Sequence, residues 1–177
     1  MATWIALLRG VGGGIRPLSM RELTAALAGI GLKNVRTYIQ SGNVVCSSAK
    51  AAPRLASEIE RCIEKKFGFN SKTFILSVDE LQRAAQANPF PQAVEKPQTL
   101  HLFFLAEPAK AAQIDAMHEL KAKSEQFVLK DKVLYFYAPQ GFGTSKLAAK
   151  VERLLGVDTT ARNWRTVGKL LELSQGS

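Results

Sequence analysis

VRTYIQSGNVVCSS, residues 35–48, decides how this chain folds. Two runs rich in β-branched residues flank Ser41-Gly42, and a glycine between such runs marks a β-hairpin. Upstream, residues 3–9 read as a strand. Ser19-Met20-Arg21-Glu22 then has capping-box spacing: the Ser19 hydroxyl can accept from the Glu22 amide while Glu22 reaches back. The helix it opens carries Leu23, Ala26, Leu27 and Ile30 on one face and ends at Gly29 or Gly31. Downstream, residues 52–67 repeat the pattern with Leu55, Ile59, Ile63 and Phe67, closed by Gly68, and FNSKTFILS (69–77) follows as a strand. A hairpin between two helices, where a dinucleotide-binding fold would place a parallel strand, gives β-α-β-β-α-β, the ferredoxin-like split unit.

The pattern then starts again. Asp79-Glu80-Leu81-Gln82 offers a second capping-box spacing for a short helix that must end before Pro89, and ANPFPQAVEKPQ (87–98), with three prolines, is the best internal boundary. TLHLFFL (99–105) reads as a strand, 108–122 as a helix, and QFVLKDKVLYFYAP (126–139) as a hairpin turning at Lys130-Asp131. GFGTSK (141–146) leads into a helix with Leu147, Val151, Leu154 and Leu155, stopped by Gly156, and 164–173 forms one more short helix. The fold class is therefore α+β: two ferredoxin-like halves with antiparallel or mixed sheets, the second bearing an extra C-terminal helix. The expected division is 1–78, a connection over 79–98, and 99–177. TWIALL and THLFFL are apolar on both alternate faces, so each strand is expected to be covered on both sides, by the other half or by a partner subunit.

At 177 residues, 46% hydrophobic and 22% charged, the chain is long and apolar enough for a substantial core. The run Trp4–Leu8 stops at Arg9, too short for a signal peptide or a membrane span, which makes the cytoplasm the expected compartment. Cys46 and Cys62 lie outside any paired motif and read as reduced, buried thiols. His101 and His118 have no partnering acidic motif, so no metal site is expected, and no cofactor either. A net charge of +9 favours anionic partners. The excess is interleaved through folded segments: Arg9, Arg16, Arg21, Lys33 and Arg36 against Glu22 in the first forty residues, and Lys146, Lys150, Arg153, Arg162, Arg165 and Lys169 against three acids near the other end.

Three basic turns rich in small residues carry the candidate chemistry, 9–16, 40–43, and 141–146 with 162–165, and the site is expected where they converge on one cleft. RGVGGGIRP (9–17) sits where a phosphate loop would. It fails the dinucleotide spacing, since Ile15 or Pro17 stands where the third glycine belongs, and it lacks a P-loop lysine. What survives is an anion-binding corner flanked by Arg9 and Arg16, or a plain flexible turn. In GFGTSK, Gly141 and Gly143 free the backbone, Thr144 or Ser145 can cap a helix, and Lys146 falls in the first turn, where a bound phosphate would offset its conflict with the helix dipole. The alternative is an ordinary capped helix with a solvent lysine. TARNWRTVGK gathers Arg162, Asn163, Trp164 and Arg165 at a helix start, fit for phosphate contacts and stacking or, alternatively, for a core plug with a cap. Tyr135 and Tyr137 share a strand face, best explained by cross-strand packing. No G-x-S-x-G elbow, nucleophilic cysteine context or carboxylate pair stands out, and no catalytic constellation assembles.

IALLRGV, PLSMRELTAALAGIGLKNVRTYIQSGNVV, NPFP, FVLKDKVLYFYAPQGFGTSKL and ARNWRTVGKL together resemble the bacterial domain of unknown function 1697 family, from about residue 3 to about residue 173. The resemblance implies a fold and a bacterial cytoplasmic setting rather than a reaction. It marks Arg9, Gln40, Ser41, Gly42, Asn43, Gly141, Ser145, Lys146, Arg162, Asn163 and Trp164 as recurrent positions. Relatives typically read R-G-[IV]-N-V-G-G-K after the first strand, whereas RGVGGGIRP is about one residue shorter and lacks the asparagine and the lysine. The expected function is binding of a phosphorylated small molecule or nucleotide by these basic turns. Nucleic-acid binding through the basic surface and a non-catalytic interaction or scaffold role are the alternatives, with no membrane partner and a monomer or homodimer.

Overall fold

The computed structural model describes residues 1–12 and 16–176. Gly13, Gly14 and Ile15, the middle of the first glycine loop, lie outside the described residues, as does Ser177. The chain divides into two compact units, Met1–Arg83 with Gly168–Ser177, and Ala84–Val167. The last ten residues thus group with the first unit rather than with the second half.

Unit 1 runs β1 (Ala2–Leu8), α1 (Met20–Gly29), β2 (Lys33–Tyr38), β3 (Asn43–Ser48), α2 (Ala52–Phe67) and β4 (Thr73–Ser77). Its antiparallel sheet has the order β2-β3-β1-β4, the split β-α-β arrangement expected from the hairpin. The Ser19 hydroxyl accepts from the Glu22 amide at 3.3 Å, the forward half of the capping box. Gly68, left-handed at φ 78°, ends α2 by donating its amide to the Glu64 carbonyl. Ala6, Leu8, Val44 and Cys46 on one sheet face pack with Leu23 and Leu27 of α1 and Leu55, Ile59 and Ile63 of α2. Each such buried aliphatic side chain contributes about 1.5–3 kcal/mol. On the other face Ile5, Leu7 and Val45 are equally buried. Burial in these surroundings pushes the Cys46 thiol up to about 11, so both cysteines behave as inert core residues rather than nucleophiles.

Unit 2 repeats the topology with β5 (Leu100–Leu105), α4 (Ile114–Leu120), β6 (Gln126–Lys130), β7 (Val133–Tyr137), α5 (Val151–Leu155) and β8 (Thr159–Asn163), in the antiparallel order β6-β7-β5-β8. Three differences from the sequence expectation have physical causes. Strand β8 completes the second split unit, where the sequence pattern assigns no strand to TTARN: Thr159 and Thr160 pair with Leu105 and Phe104 at the sheet edge. Helix α4 is seven residues long instead of the expected fifteen, because the Gln113 amide donates to the Leu154 carbonyl at 2.8 Å and this tertiary bond fixes where the helix starts, against the helical preference of the preceding alanines. GFGTSK does not open a long helix; a 3-10 turn over Ala148–Lys150 intervenes before the five-residue α5. The core combines Phe103, Leu105, Leu134 and Phe136 with Met117, Val151, Leu154 and Leu155.

Both fourth strands run directly into a helix. Ser77 and Glu80 form a reciprocal capping box at the head of α3 (Val78–Gln86), with the Ser77 amide donating to Glu80 at 2.7 Å and the Glu80 amide to Ser77 Oγ at 3.1 Å; the box therefore begins two residues before the Asp79 start expected from spacing. Asn163 Oδ1 accepts from the Thr166 amide at 3.0 Å at the head of α6 (Trp164–Gln175). The boundary between units falls inside α3 and inside α6. No described helix is long and apolar enough to cross a membrane.

Candidate functional sites

Within unit 1, the first two predicted turns come together at one end of the sheet. The register Leu7 with Asn43, Tyr38 with Asn43 and Leu8 with Thr73 brings the end of β1, the β2–β3 turn and the α2–β4 connection side by side. Gly12 sits against the turn so closely that a Cβ there would lie 1.6 Å from the Gln40 carbonyl oxygen, and its φ of +82° suits glycine alone. Gly42 is similarly crowded by Leu8. The Asn43 amide, fully buried, donates to the Tyr38 carbonyl at 3.3 Å and to Ser41 Oγ at 2.9 Å, pinning the turn from beneath. Ser71 Oγ donates to the Arg9 carbonyl at 2.8 Å, and the Arg9 amide to the Lys72 carbonyl, which ties the third segment in. Arg16, exposed, returns to Gly12 through a backbone bridge and lays its guanidinium 4.9 Å above the Phe69 ring. Asn43 is thus a structural pin, whereas Arg9, Gln40 and Ser41 belong to a rim. Ile39, which no motif singles out, holds φ +49° with a β-branched side chain and is 55% exposed.

In unit 2 the GFGTSK turn forms one wall of a cavity of about 400 Å³, with Gln140, Gly141, Thr144, Ser145 and Lys146 facing Leu120, Ala122, Ser124 and Glu125. The opposite wall, LKAKSE (120–125), carries no motif in the sequence, although Lys121 and Lys123 lie between its lining residues. Phe142 anchors the turn: it stacks on His101 at 3.7 Å and packs against Phe103 and Phe136. Ser145, buried, accepts from the Ala148 amide, and its own amide donates to the Phe142 carbonyl. The amides of Gly143 and Thr144 make no backbone bond among the described residues. Gly143 has open space at its Cβ position. Lys146 is exposed. With α5 only five residues long and starting at Val151, no helix dipole aims at this turn. Glu125 is buried in the cavity and accepts from the Ala122 amide at 2.8 Å. His101 is drawn down to about 4 by burial, its Nδ1 has no hydrogen-bond partner among the described residues, and it stays neutral at pH 7.

The two parts of the third predicted turn, 141–146 and 162–165, do not come together. Arg162 pairs with Leu102 and Asn163 with His101, so strand pleating puts Arg162 on the sheet face opposite His101 and Phe142. Its guanidinium donates to Thr160 Oγ1 at 2.7 Å and to the Ala161 carbonyl at 2.9 Å, and desolvation lowers its pKa to about 10, leaving it charged. Asn163 is the α6 cap described above, and Trp164 opens that helix half-buried. Tyr135 and Tyr137 do serve packing: the Tyr135 hydroxyl donates to the Ala84 carbonyl at 2.6 Å, and Tyr137 stacks on Phe90. Among the described residues no cluster of three or more His, Cys, Asp or Glu side chains is placed to hold a metal.

These features define a duplicated split β-α-β protein of the α+β class whose candidate sites lie in connecting segments. The chain belongs to the protein of unknown function (DUF1697) family, whose model matches residues 1–135. Among solved structures it is similar to the conserved bacterial protein SP0830 from Streptococcus pneumoniae, with 23% identity, a TM-score of 0.73 and 98% of each chain covered. That likeness concerns the fold alone. No curated protein matches the chain.

Proposed function

We propose that unit 2 binds a phosphorylated small molecule, such as a sugar phosphate or nucleotide, in the cavity bounded by residues 120–125 and 140–146. The observation that carries this reading is the cavity itself: about 400 Å³, with Gly141, Thr144, Ser145 and Lys146 along one wall. Its size falls in the range of small-ligand sites, about 300–1,000 Å³. Two backbone amides without backbone partners, the Thr144 and Ser145 hydroxyls and the Lys146 ammonium supply donors of the kind that hold phosphate oxygens. Lys121 and Lys123 on the facing segment add positive field, while the carboxylate of Glu125 suits it to a sugar or ribose hydroxyl rather than to the phosphate.

The test is a thermal-shift screen with inorganic phosphate, ribose 5-phosphate, glucose 6-phosphate and AMP, repeated on Lys146→Ala. A ligand at 100 times its Kd stabilises by about 2.7 kcal/mol. For a chain of this size that is a rise of roughly 5–10 °C in Tm. The reading stands if a phosphorylated compound raises Tm in the wild type and the rise shrinks in Lys146→Ala. It falls if none of the panel shifts Tm, or if the variant responds as the wild type does.

A further inference from the structure

Glu125 supplies the carboxylate of the unit 2 cavity, and it is only 5% exposed. Its amide donates to the Ala122 carbonyl at 3.0 Å, and its Oε1 accepts from the Ala122 amide at 2.8 Å. Backbone and side chain thus close the same turn, which fixes the carboxylate but uses one of its oxygens. The other, Oε2, has no hydrogen-bond or ion-pair partner among the described residues. Nor is it sealed off, as the unpartnered Trp4 Nε1 and His101 Nδ1 are; the space it reaches is the cavity. Buried carboxylates ordinarily have a cation or several donors around them, because leaving water without them is costly. Lys121 and Lys123 stand in the same segment, yet neither pairs with Glu125 among the described residues.

The missing donors are those of a ligand, and the surroundings select their kind. A ligand ammonium would enter the field of Lys121, Lys123 and Lys146 and be repelled. A metal ion would find no second carboxylate, since no cluster able to hold one exists among the described residues. Neutral hydroxyls meet neither obstacle, and two adjacent ones match the two lone pairs of Oε2. The rest of the lining narrows the ligand further. Among the described residues no aromatic side chain lines the cavity, and Leu120 is its one large apolar residue. Phe142, inside the GFGTSK turn, packs instead on His101, Phe103 and Phe136. A nucleobase would have nothing to stack on, whereas a sugar needs only edge-on hydrogen bonds of the kind Ser124, Gln140 and Thr144 offer.

We infer that the ligand is a phosphorylated sugar with adjacent hydroxyls rather than a nucleotide, its phosphate on the Thr144–Lys146 wall and its diol on Glu125. This rests on the reading of the cavity as a phosphate site and narrows it. The test is isothermal titration calorimetry of the full chain with inorganic phosphate, ribose 5-phosphate, 2-deoxyribose 5-phosphate and AMP. Loss of a hydrogen bond to a carboxylate predicts that ribose 5-phosphate binds about 10- to 100-fold more tightly than its 2-deoxy analogue. AMP should bind no more tightly than ribose 5-phosphate. In Glu125→Gln the amide oxygen can still accept from Ala122, so Tm and phosphate affinity should hold while the ribose preference vanishes. A purely structural Glu125 would leave that preference unchanged. Lys146→Ala should weaken every phosphorylated compound alike and keep the preference. If no compound binds, the phosphate reading itself fails, and this inference with it. The inference alone is overturned if the compounds bind but ribose and 2-deoxyribose 5-phosphate do so equally, if Glu125→Gln keeps the preference, or if AMP binds more tightly than ribose 5-phosphate.

Discussion

Replacing Gly12 by alanine tests whether the first glycine loop is a built part of unit 1 or a flexible corner. At φ +82° an added Cβ costs about 1–2 kcal/mol from backbone sterics alone. The contacts add more. The Cβ would meet Gln40 O at 1.6 Å, the Gln40 carbonyl carbon at 2.7 Å and Ser41 Cα at 2.9 Å, all backbone. Reaching ordinary contact at 3.4 Å requires a relative movement of about 1.8 Å, and no side-chain rotation can supply it. The turn cannot yield alone, because Asn43 holds it at two points from a fully buried position. Breaking one of those hydrogen bonds costs about 1–3 kcal/mol, so Gly12→Ala should cost roughly 2–5 kcal/mol in total. Gly10→Ala is the control. Its φ of +71° carries the same steric penalty, but nothing lies within 4 Å of its Cβ. Differential scanning calorimetry should then give a Tm loss of roughly 4–20 °C for Gly12→Ala and roughly 2–8 °C for Gly10→Ala, at about 2–4 °C per kcal/mol for this length. Equal losses in the two variants would refute the reasoning, since they would mean that the close approach of Gly12 to Gln40 carries no energy.

Tyr135→Phe removes a hydroxyl that donates to Ala84 at 2.6 Å inside unit 2, and should lower stability by about 1–2 kcal/mol in urea titration. Asn163→Ala and Ser77→Ala each remove a side-chain helix cap and should cost about 1 kcal/mol apiece, with Asn163→Asp recovering most of the loss. His101 should make stability fall in acid. Its pKa near 4 in the fold lies below the ordinary 6.5, so the unfolded chain binds the extra proton first, and the stability present above pH 6.5 is lost as pH falls through 4. At about 1.36 kcal/mol per unit the full loss is roughly 3–3.5 kcal/mol, and Tm measured at pH 7.5, 5.5 and 4.5 should decline less steeply in His101→Leu.

Sequence pattern located most elements because local and tertiary preferences agree there. Residues 52–67 carry an apolar stripe at helical spacing and a terminal glycine, and they form α2 over that range. The pattern misled where a single tertiary contact outweighs propensity, as at Gln113, and where an edge strand is short and polar, as at Thr159–Asn163. The candidate sites were legible as composition but not as geometry. Gly12 beside Gln40 and Phe142 on His101 join residues 28 and 41 positions apart in the chain, which no spacing rule connects. Asn43 and Asn163 look alike in sequence as polar site residues, yet each is occupied by its own backbone, one beneath a turn and one at a helix start. The left-handed Ile39 had no signal at all, because isoleucine is among the last residues expected there.

The duplication separates what the fold requires from what each unit adds. Both units have the same strand order and direction, so a connection that is short in one unit measures the topology's minimum. The β6–β7 turn needs two residues, Asp131 and Lys132, whereas the equivalent β2–β3 turn uses four, 39–42. Conversely, the β3–α2 connection takes three residues, 49–51, and its counterpart after β7 takes ten, 138–147, before the 3-10 turn begins. Each unit is therefore elaborated at a different end of the same sheet: unit 1 where Ile39 is held in strain, unit 2 where the lysine-bearing cavity opens. Neither elaboration is demanded by the chain's path, since the sister unit closes the same step with less. Strain at Ile39 and a ten-residue excursion around Phe142 are costs that packing alone does not explain, and each is what a binding segment on a rigid scaffold looks like.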